Sequence, residues 1–320
     1  MSSEMEPDSG HAGPARPVIV SVVIATRNDA QRVGFAIVSV LNQTFSDFEL
    51  IVVNDNSTDG TAGVLERFRE ADSRISVITN TTQLGRAGAR NVAIMVARGE
   101  FIAVLDSDDM MFPERLSRQV EFMRGNSAVG ILGTSGVWEI GGEYYDNIGR
   151  RYPTESPVIR RNLSSGLMPI LNSSILCRKS VLLSVGGYQS SGHSPIFNED
   201  YITFRMLLSQ TEFANLADPL ILVCTDSLVN PKVIRHKLRE NNAYEMHTLH
   251  GSMSVRRILL LVVRGLMVCL PDSFLGALYY HRLRAWPLSQ HAETVRAMKR
   301  RIEAQKSTIE RTGSMHGIEI

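Results

Sequence analysis

From Val18 the chain runs Val-Ile-Val-Ser-Val-Val-Ile-Ala and then breaks at Thr26-Arg27-Asn28-Asp29. A continuous, β-branched apolar run that shows no alternation has no solvent side, which is the condition of a strand buried on both faces of a parallel sheet. The next parallel strand can be reached only by a crossover, and the sequence supplies one. Between Asp29 and Gln43, residues Ala30, Val33, Ile37, Val40 and Leu41 recur at helical spacing, and Phe48 to Val53 returns to a short apolar run. The polar loop Asn54-Asp55-Asn56-Ser57-Thr58-Asp59-Gly60 follows. A helix bearing Val64, Leu65 and Phe68, a strand at Ile75 to Thr79, a helix at Ala87 to Ala97 and a strand at Phe101 to Leu105 continue the rhythm. Alternating strands and helices with right-handed crossovers predict a doubly wound α/β domain.

After Pro113 the periodicity loosens. A helix is expected at Glu114 to Arg124, a strand at Val129 to Val137 and a Gly- and Tyr-rich excursion from Gly141 to Tyr152. Apolar segments follow at Ile175 to Cys177 and Val181 to Val185, then a helix at Tyr201 to Leu208 and a late strand at Leu220 to Thr225. From Ser254 the chain becomes a basic and apolar mixture, and from Glu293 it is charged, helical in pattern and expected to fray after Ser307. The division read from these shifts is a disordered lead over 1–17, a catalytic domain over 18–245, a helical and membrane-associating extension over 246–306 and a flexible tail over 307–320.

Composition narrows the function classes. Lys+Arg 34 against Asp+Glu 33 gives a net charge of +1, so no global field draws the chain to nucleic acid. Cys177, Cys224 and Cys269 stand apart in no CxxC spacing, which argues against a disulfide framework or a zinc site and suits a reducing compartment. The lead before Val18 has no apolar run of the signal-peptide kind, so a cytoplasmic location is expected.

In open α/β sheets ligands bind beyond the carboxyl ends of the strands. Three polar loops fall there: Thr26 to Asp29, Asn54 to Asn56 and Asp106-Ser107-Asp108-Asp109. An extended Asp-x-Asp places Asp106 and Asp108 on one side of the chain, able to hold a hard divalent cation that also grips a diphosphate. Asp108 or Asp109 can instead cap the helix entered at Pro113. Asp55 can accept from a nucleotide base or ribose, or close an Asx-turn. Arg86 and Arg90 flank glycines and can steady a diphosphate, or lie on a solvated helix face. Glu199-Asp200, ahead of a helix, is a candidate general base or a helix cap.

Taken together, Ser21 to Asn28, Val52 to Thr61, Leu84 to Asn91, Phe101 to Asp109, Gly186-Gly187-Tyr188, Asn198-Glu199-Asp200 and Ile234-Arg235-His236 resemble the inverting glycosyltransferases of family 2. The resemblance spans roughly Val18 to Asn242 and implies a GT-A fold, a mixed sheet flanked by helices. It implies a nucleotide-sugar donor, a UDP-sugar by family habit, with Thr26 and Asn28 in the first loop of the nucleotide pocket and Asp55 on the base. It assigns Asp106 to the ribose or metal waters, Asp108 and His236 to Mn2+ or Mg2+, Asp200 to the acceptor proton and Glu199 to orienting the loop, and it puts Arg90 in a strongly patterned segment. Asn54 departs from the family, which often has Asp there, and His236 can also be a surface residue in its basic run.

The acceptor is expected to be a glycan or lipid-linked hydroxyl, in surface polysaccharide or glycolipid assembly. The alternative is a non-catalytic nucleotide-sugar-binding protein of the same fold. An NAD-dependent oxidoreductase is disfavoured because the first turn lacks GxGxxG. Within the segment Ser254 to Trp286 the apolar run Ile258 to Leu270 is interrupted by Arg264 and ends at Pro271, shorter than the roughly 20 residues a spanning helix needs. The segment's basic residues beside Tyr279, Tyr280 and Trp286 suit helices lying on an anionic, cytoplasmic membrane face, or a packing or homo-oligomer contact.

Overall fold

The computed structural model describes residues 18–146, 152–189, 199–224, 262–263, 266–267, 269–271 and 289–314. The predicted run after Val18 is β1 (Val20–Thr26), and it sits at the centre of three parallel pairings. β2 (Phe48–Asn54) and β4 (Phe101–Asp106) flank it, and β3 (Ile75–Thr79) pairs with the far side of β2. The pleat sends alternate residues of β1 to opposite layers. Val20, Val22 and Ile24 join one core with α1 (Val33–Leu41), α2 (Thr61–Ala71) and α4 (Arg115–Gly125). Val23 joins a second core with α3 (Gly85–Val96), α5 (Ser156–Ser164), α6 (Lys179–Leu183) and α7 (Glu199–Met206). Burial on both faces therefore accounts for the absence of alternation in the sequence.

The sheet extends with mixed polarity. β8 (Leu176–Arg178) runs antiparallel between β4 and β6 (Val129–Ile140), while β9 (Glu212–Cys224) runs parallel to β6 and pairs with the short β5 (Met110–Met111). The order is β3-β2-β1-β4-β8-β6-β9-β5, with β7 (Glu143–Asp146) on β6. This is the mixed, doubly wound sheet expected from the sequence.

Four local readings are corrected. The stretch read as an excursion opens with β7, because Gly141 and Gly142 both take positive φ, 59° and 83°, as a two-residue hairpin turn requires. The late strand starts at Glu212 rather than Leu220, since Asp218-Pro219 masks its pattern where the pairing with β6 shifts register. The apolar Val181 to Val185 stretch is largely the end of α6. The expected fraying after Ser307 does not occur: α8 (Ala292–Thr312) runs through the boundary placed at 306 and ends on the left-handed Gly313.

The reason is packing. α1 is buried on nearly every residue, so its outer side needs a cover. α8 provides it with Val295, Ile302 and Ile309 in the same core. Its Gln305 accepts from Asn42 at 2.6 Å, and Lys306 lies over the Phe35 ring at 4.6 Å. Among the described residues no helix is long and apolar enough to cross a membrane, and all three cysteines are free.

Candidate active site

The parallel strands β1, β2 and β4 end in register, Thr26 opposite Asn54 and Ala25 opposite Asp106, so their three loops open on one rim. The first two loops are laced together. Thr26 gives its carbonyl to the Asp55 N–H at 2.8 Å, and Asn28, at φ 52°, accepts from the Thr58 N–H at 2.8 Å while its own N–H reaches Ser57 Oγ. The Asn28 side chain is thus committed to shaping the loop. Thr26 is 3% exposed and its hydroxyl has no partner among the described residues.

Asp55 is buried and receives three hydrogen bonds: Asn80 Nδ2 at 2.9 Å and Leu84 N at 2.8 Å to one oxygen, Gly85 N at 2.9 Å to the other. The carboxylate therefore binds the amides that open α3, where a negative charge is favoured. Neither an Asx-turn nor a purely ligand-facing carboxylate describes it. Arg86 stands in the exposed first turn of that helix.

One turn further, Arg90 enters the site. Its Nη2 donates to Asp106 Oδ1 at 2.6 Å and its Nη1 to Glu199 Oε1 at 2.5 Å, with the Tyr188 ring 5.3 Å from the guanidinium. This joins the Asp-x-Asp loop of β4 to the start of α7 through a single side chain that is 3% exposed. Burial alone would weaken its charge, but Asp106 and Glu199 outweigh burial and raise its pKa above the ordinary value. The solvated-face reading of Arg90 is excluded.

Asp200 follows Glu199 and accepts from the Tyr201 N–H at 2.8 Å. Burial, then the adjacent Glu199 charge, pushes its carboxyl up to about 6, above the ordinary carboxylate value. Asp106 also acts in that direction.

Around Asp108 the carboxylates crowd. Burial first and Asp106 next raise its pKa, and the Arg32 guanidinium opposes them. Asp109, buried and accepting from the Cys224 N–H at 3.1 Å, is raised well above the ordinary range by burial and by Asp108. Beneath it Arg115 is fully buried on the carbonyls of Val104, Ser173 and Ile175, and burial brings its pKa down to about 9 despite Asp109. The carboxylates of Asp29, Asp106, Asp108, Asp109, Glu199 and Asp200 outnumber the guanidiniums of Arg32, Arg90 and Arg115. An excess of hard oxygen donors at a half-open rim fits a divalent cation. Among the described residues no cluster of metal-ligating side chains is complete by itself, and His236 lies outside them.

Sequence reasoning missed several parts. Asn91 clamps the Tyr188 backbone, giving 2.8 Å to its carbonyl and accepting at 2.7 Å from its N–H. This forces Gly187 to be glycine: its φ is 83° and a Cβ would stand 2.4 Å from Asn91 Oδ1. Ser173 gives Oγ to the Asp106 N–H at 3.0 Å. Arg32, just past the first loop, reaches Asp108, and Asp29 at the end of that loop accepts from Ser107. Only the position of Asn91 inside the patterned Leu84 to Asn91 segment could have marked it.

Residues 21–184 match the profile described as Glycosyl transferase family 2. The chain belongs to that family. A curated relative from Escherichia coli, UDP-Glc:alpha-D-GlcNAc-diphosphoundecaprenol beta-1,3-glucosyltransferase WfaP, is 40% identical over 105 residues, 33% of this chain and 41% of its own. Matched parts cover 40% to 65% of three further curated glycosyltransferases, so the chain spans only part of the length of these family 2 relatives. Among solved structures, S. aureus TarS 1-349 in complex with UDP-GlcNAc has a TM-score of 0.54 at 18% identity, covering 92% of this chain and 91% of that one. The mannosyltransferase PcManGT of Pyrobaculum calidifontis, in complex with GDP-Man and Mn2+, has a TM-score of 0.54 at 16% identity, covering 92% and 82%. At these identities the likeness is one of fold, the GT-A arrangement of a family 2 enzyme.

Proposed function

We propose that this family 2 chain is an inverting glycosyltransferase that moves a sugar from a nucleotide-sugar donor to an acceptor hydroxyl, with Asp200 as the base. The observation that carries this reading is the Arg90 bridge, which ties the loop of Asp106 and Asp108 to Glu199 beside Asp200. An inverting displacement needs two separated functions, charge stabilisation at the leaving diphosphate and proton removal at the acceptor, at a fixed spacing. A buried guanidinium held by both segments supplies that spacing. Burial and the adjacent Glu199 raise Asp200 to about 6, which suits a general base beside that bridge.

The remaining residues divide the work. Thr26 presents a buried hydroxyl with no partner among the described residues, able to bond a nucleotide. Asp55, with both oxygens already engaged by donors, keeps acceptor capacity for one further N–H such as that of a base. Asp108, and His236 if it reaches the rim, would hold Mn2+ or Mg2+, and Asp106 would meet the ribose or the metal's waters. That cation would supply a Lewis acid for the charge growing on the diphosphate. Glu199 fixes the Asp200 loop through Arg90, and Asp200 takes the acceptor proton as the new bond forms, with no covalent enzyme intermediate.

Support for UDP as the nucleotide comes from the WfaP relative and the TarS complex, both of which carry UDP-sugars in their descriptions, and support for a lipid-linked acceptor from the diphosphoundecaprenol in the name of WfaP. A role in surface polysaccharide assembly at the cytoplasmic membrane face follows from that acceptor. Thermal shift across a panel of nucleotide sugars with Mn2+ tests the donor: stabilisation by one of them, and by its diphosphate more than by its nucleoside, is the expected result. Stabilisation by none would reject the reading.

A further inference from the structure

Arg32 is a charged group at the rim that the proposed mechanism leaves unused. It occupies the cap position before α1, and its Nε donates to Asp29 Oδ1 at 2.7 Å. Asp29 is itself buried and immobilised, receiving Ser107 Oγ at 2.6 Å on its other oxygen while its N–H bonds Thr61 Oγ1 at 2.9 Å. The base of the guanidinium is therefore fixed, and its fork is aimed along the rim. There Nη1 stands 3.4 Å from Asp108 Oδ2, beyond the 2.7–2.9 Å of a well-formed charge-assisted bond. The Arg32 side chain is 57% exposed and Asp108 38% exposed. This contact is loose, solvent-facing and worth little to the fold, yet it neutralises the carboxylate assigned to the cation.

We propose that Arg32 is a diphosphate-contacting residue that rests on Asp108 while the site holds no donor and passes to the diphosphate when a divalent cation takes that carboxylate. The inference rests on the nucleotide-sugar reading above. Two opposite charges arrive with the donor: the cation displaces the guanidinium from Asp108, and the diphosphate offers it a bidentate partner that matches its fork. The tether to Asp29 keeps the guanidinium within the same rim throughout. Arg32 thus keeps Asp108 compensated before binding and adds affinity for the diphosphate rather than for the nucleoside.

The test is calorimetric titration of full-length wild type, R32Q and R32K with UDP and with uridine in Mn2+, and with Mn2+ alone. R32Q is expected to weaken UDP about tenfold or more, the worth of a charged hydrogen bond, and to leave uridine unchanged. Mn2+ alone should bind R32Q about two- to fivefold more tightly, because an exposed competing ion pair is gone. R32K should fall between wild type and R32Q for UDP. Undiminished UDP binding by R32Q, equal losses for UDP and uridine, or weaker Mn2+ binding would overturn the assignment. A wild type that binds neither UDP nor GDP would instead overturn the donor reading itself.

Discussion

Arg90 shows how a single side chain can be both structural and chemical. Replacing it by Met would leave Asp106 and Glu199 facing each other without a cation, and breaking a buried pair of this kind costs about 3–5 kcal/mol. Chemical denaturation should read that loss, and Arg90→Lys, which keeps charge without the two-pronged geometry, should recover part of it. Asp108, half-exposed at the rim, should behave oppositely: Asp108→Ala should melt like wild type and lose the Mn2+-dependent part of nucleoside diphosphate binding, as titration with and without Mn2+ would show. For Asp200 the sign follows from its raised pKa. The base works ionised, so kcat/KM should fall about tenfold per unit as pH drops below about 6 and level off above it. A pH profile flat from 5 to 8 would remove Asp200 from the proton transfer. That these carboxylates share one rim was legible from their places at strand ends. Their mutual effects were not, because burial and the Arg90 contacts bring together segments far apart in sequence.

Among the elements, those built from local pattern were readable. β1, β2 and β4 carry uninterrupted apolar runs and α1 to α3 follow them at crossover distance, so both the strands and the rim they end on could be placed. Elements that take their shape from distant partners were not. β7 depends on two positive-φ glycines, β9 carries an Asp-Pro interruption in its register shift, and the turn at Gly186-Gly187-Tyr188 is held by Asn91 of α3. The last point predicts a cost. Gly187→Ala imposes a positive φ on a residue with a Cβ, worth about 1–3 kcal/mol, and drives that Cβ into Asn91. A melting point lowered by several degrees, with loss of donor binding from the Tyr188–Arg90 side of the site, is expected from differential scanning fluorimetry. α8 is a similar case. Its sequence is charged and looks like a solvated tail, but a narrow stripe of Val295, Ile302 and Ile309 covers α1. Ile302→Ala should cost about 2–5 kcal/mol.

For the whole molecule, a net charge of +1 says little about partners, and the contrasts that matter are local: an acidic rim at the site and the basic, apolar segment Ser254 to Trp286, most of which lies outside the described residues. Because α8 packs in the core beside α1, the membrane expectation rests on that segment. Full-length protein should co-sediment with anionic vesicles and be released as salt rises, and recovery in the supernatant at every salt concentration would remove the membrane expectation. The central claim concerns chemistry, and a rate measurement tests it most directly. Transfer from the donor found by thermal shift should be followed in wild type and in Asp200→Asn, with donor affinity measured in parallel. The account predicts unchanged donor binding, turnover lower by about two to four orders of magnitude and loss of the acid limb near pH 6. Near wild-type turnover in Asp200→Asn with the limb intact would contradict it.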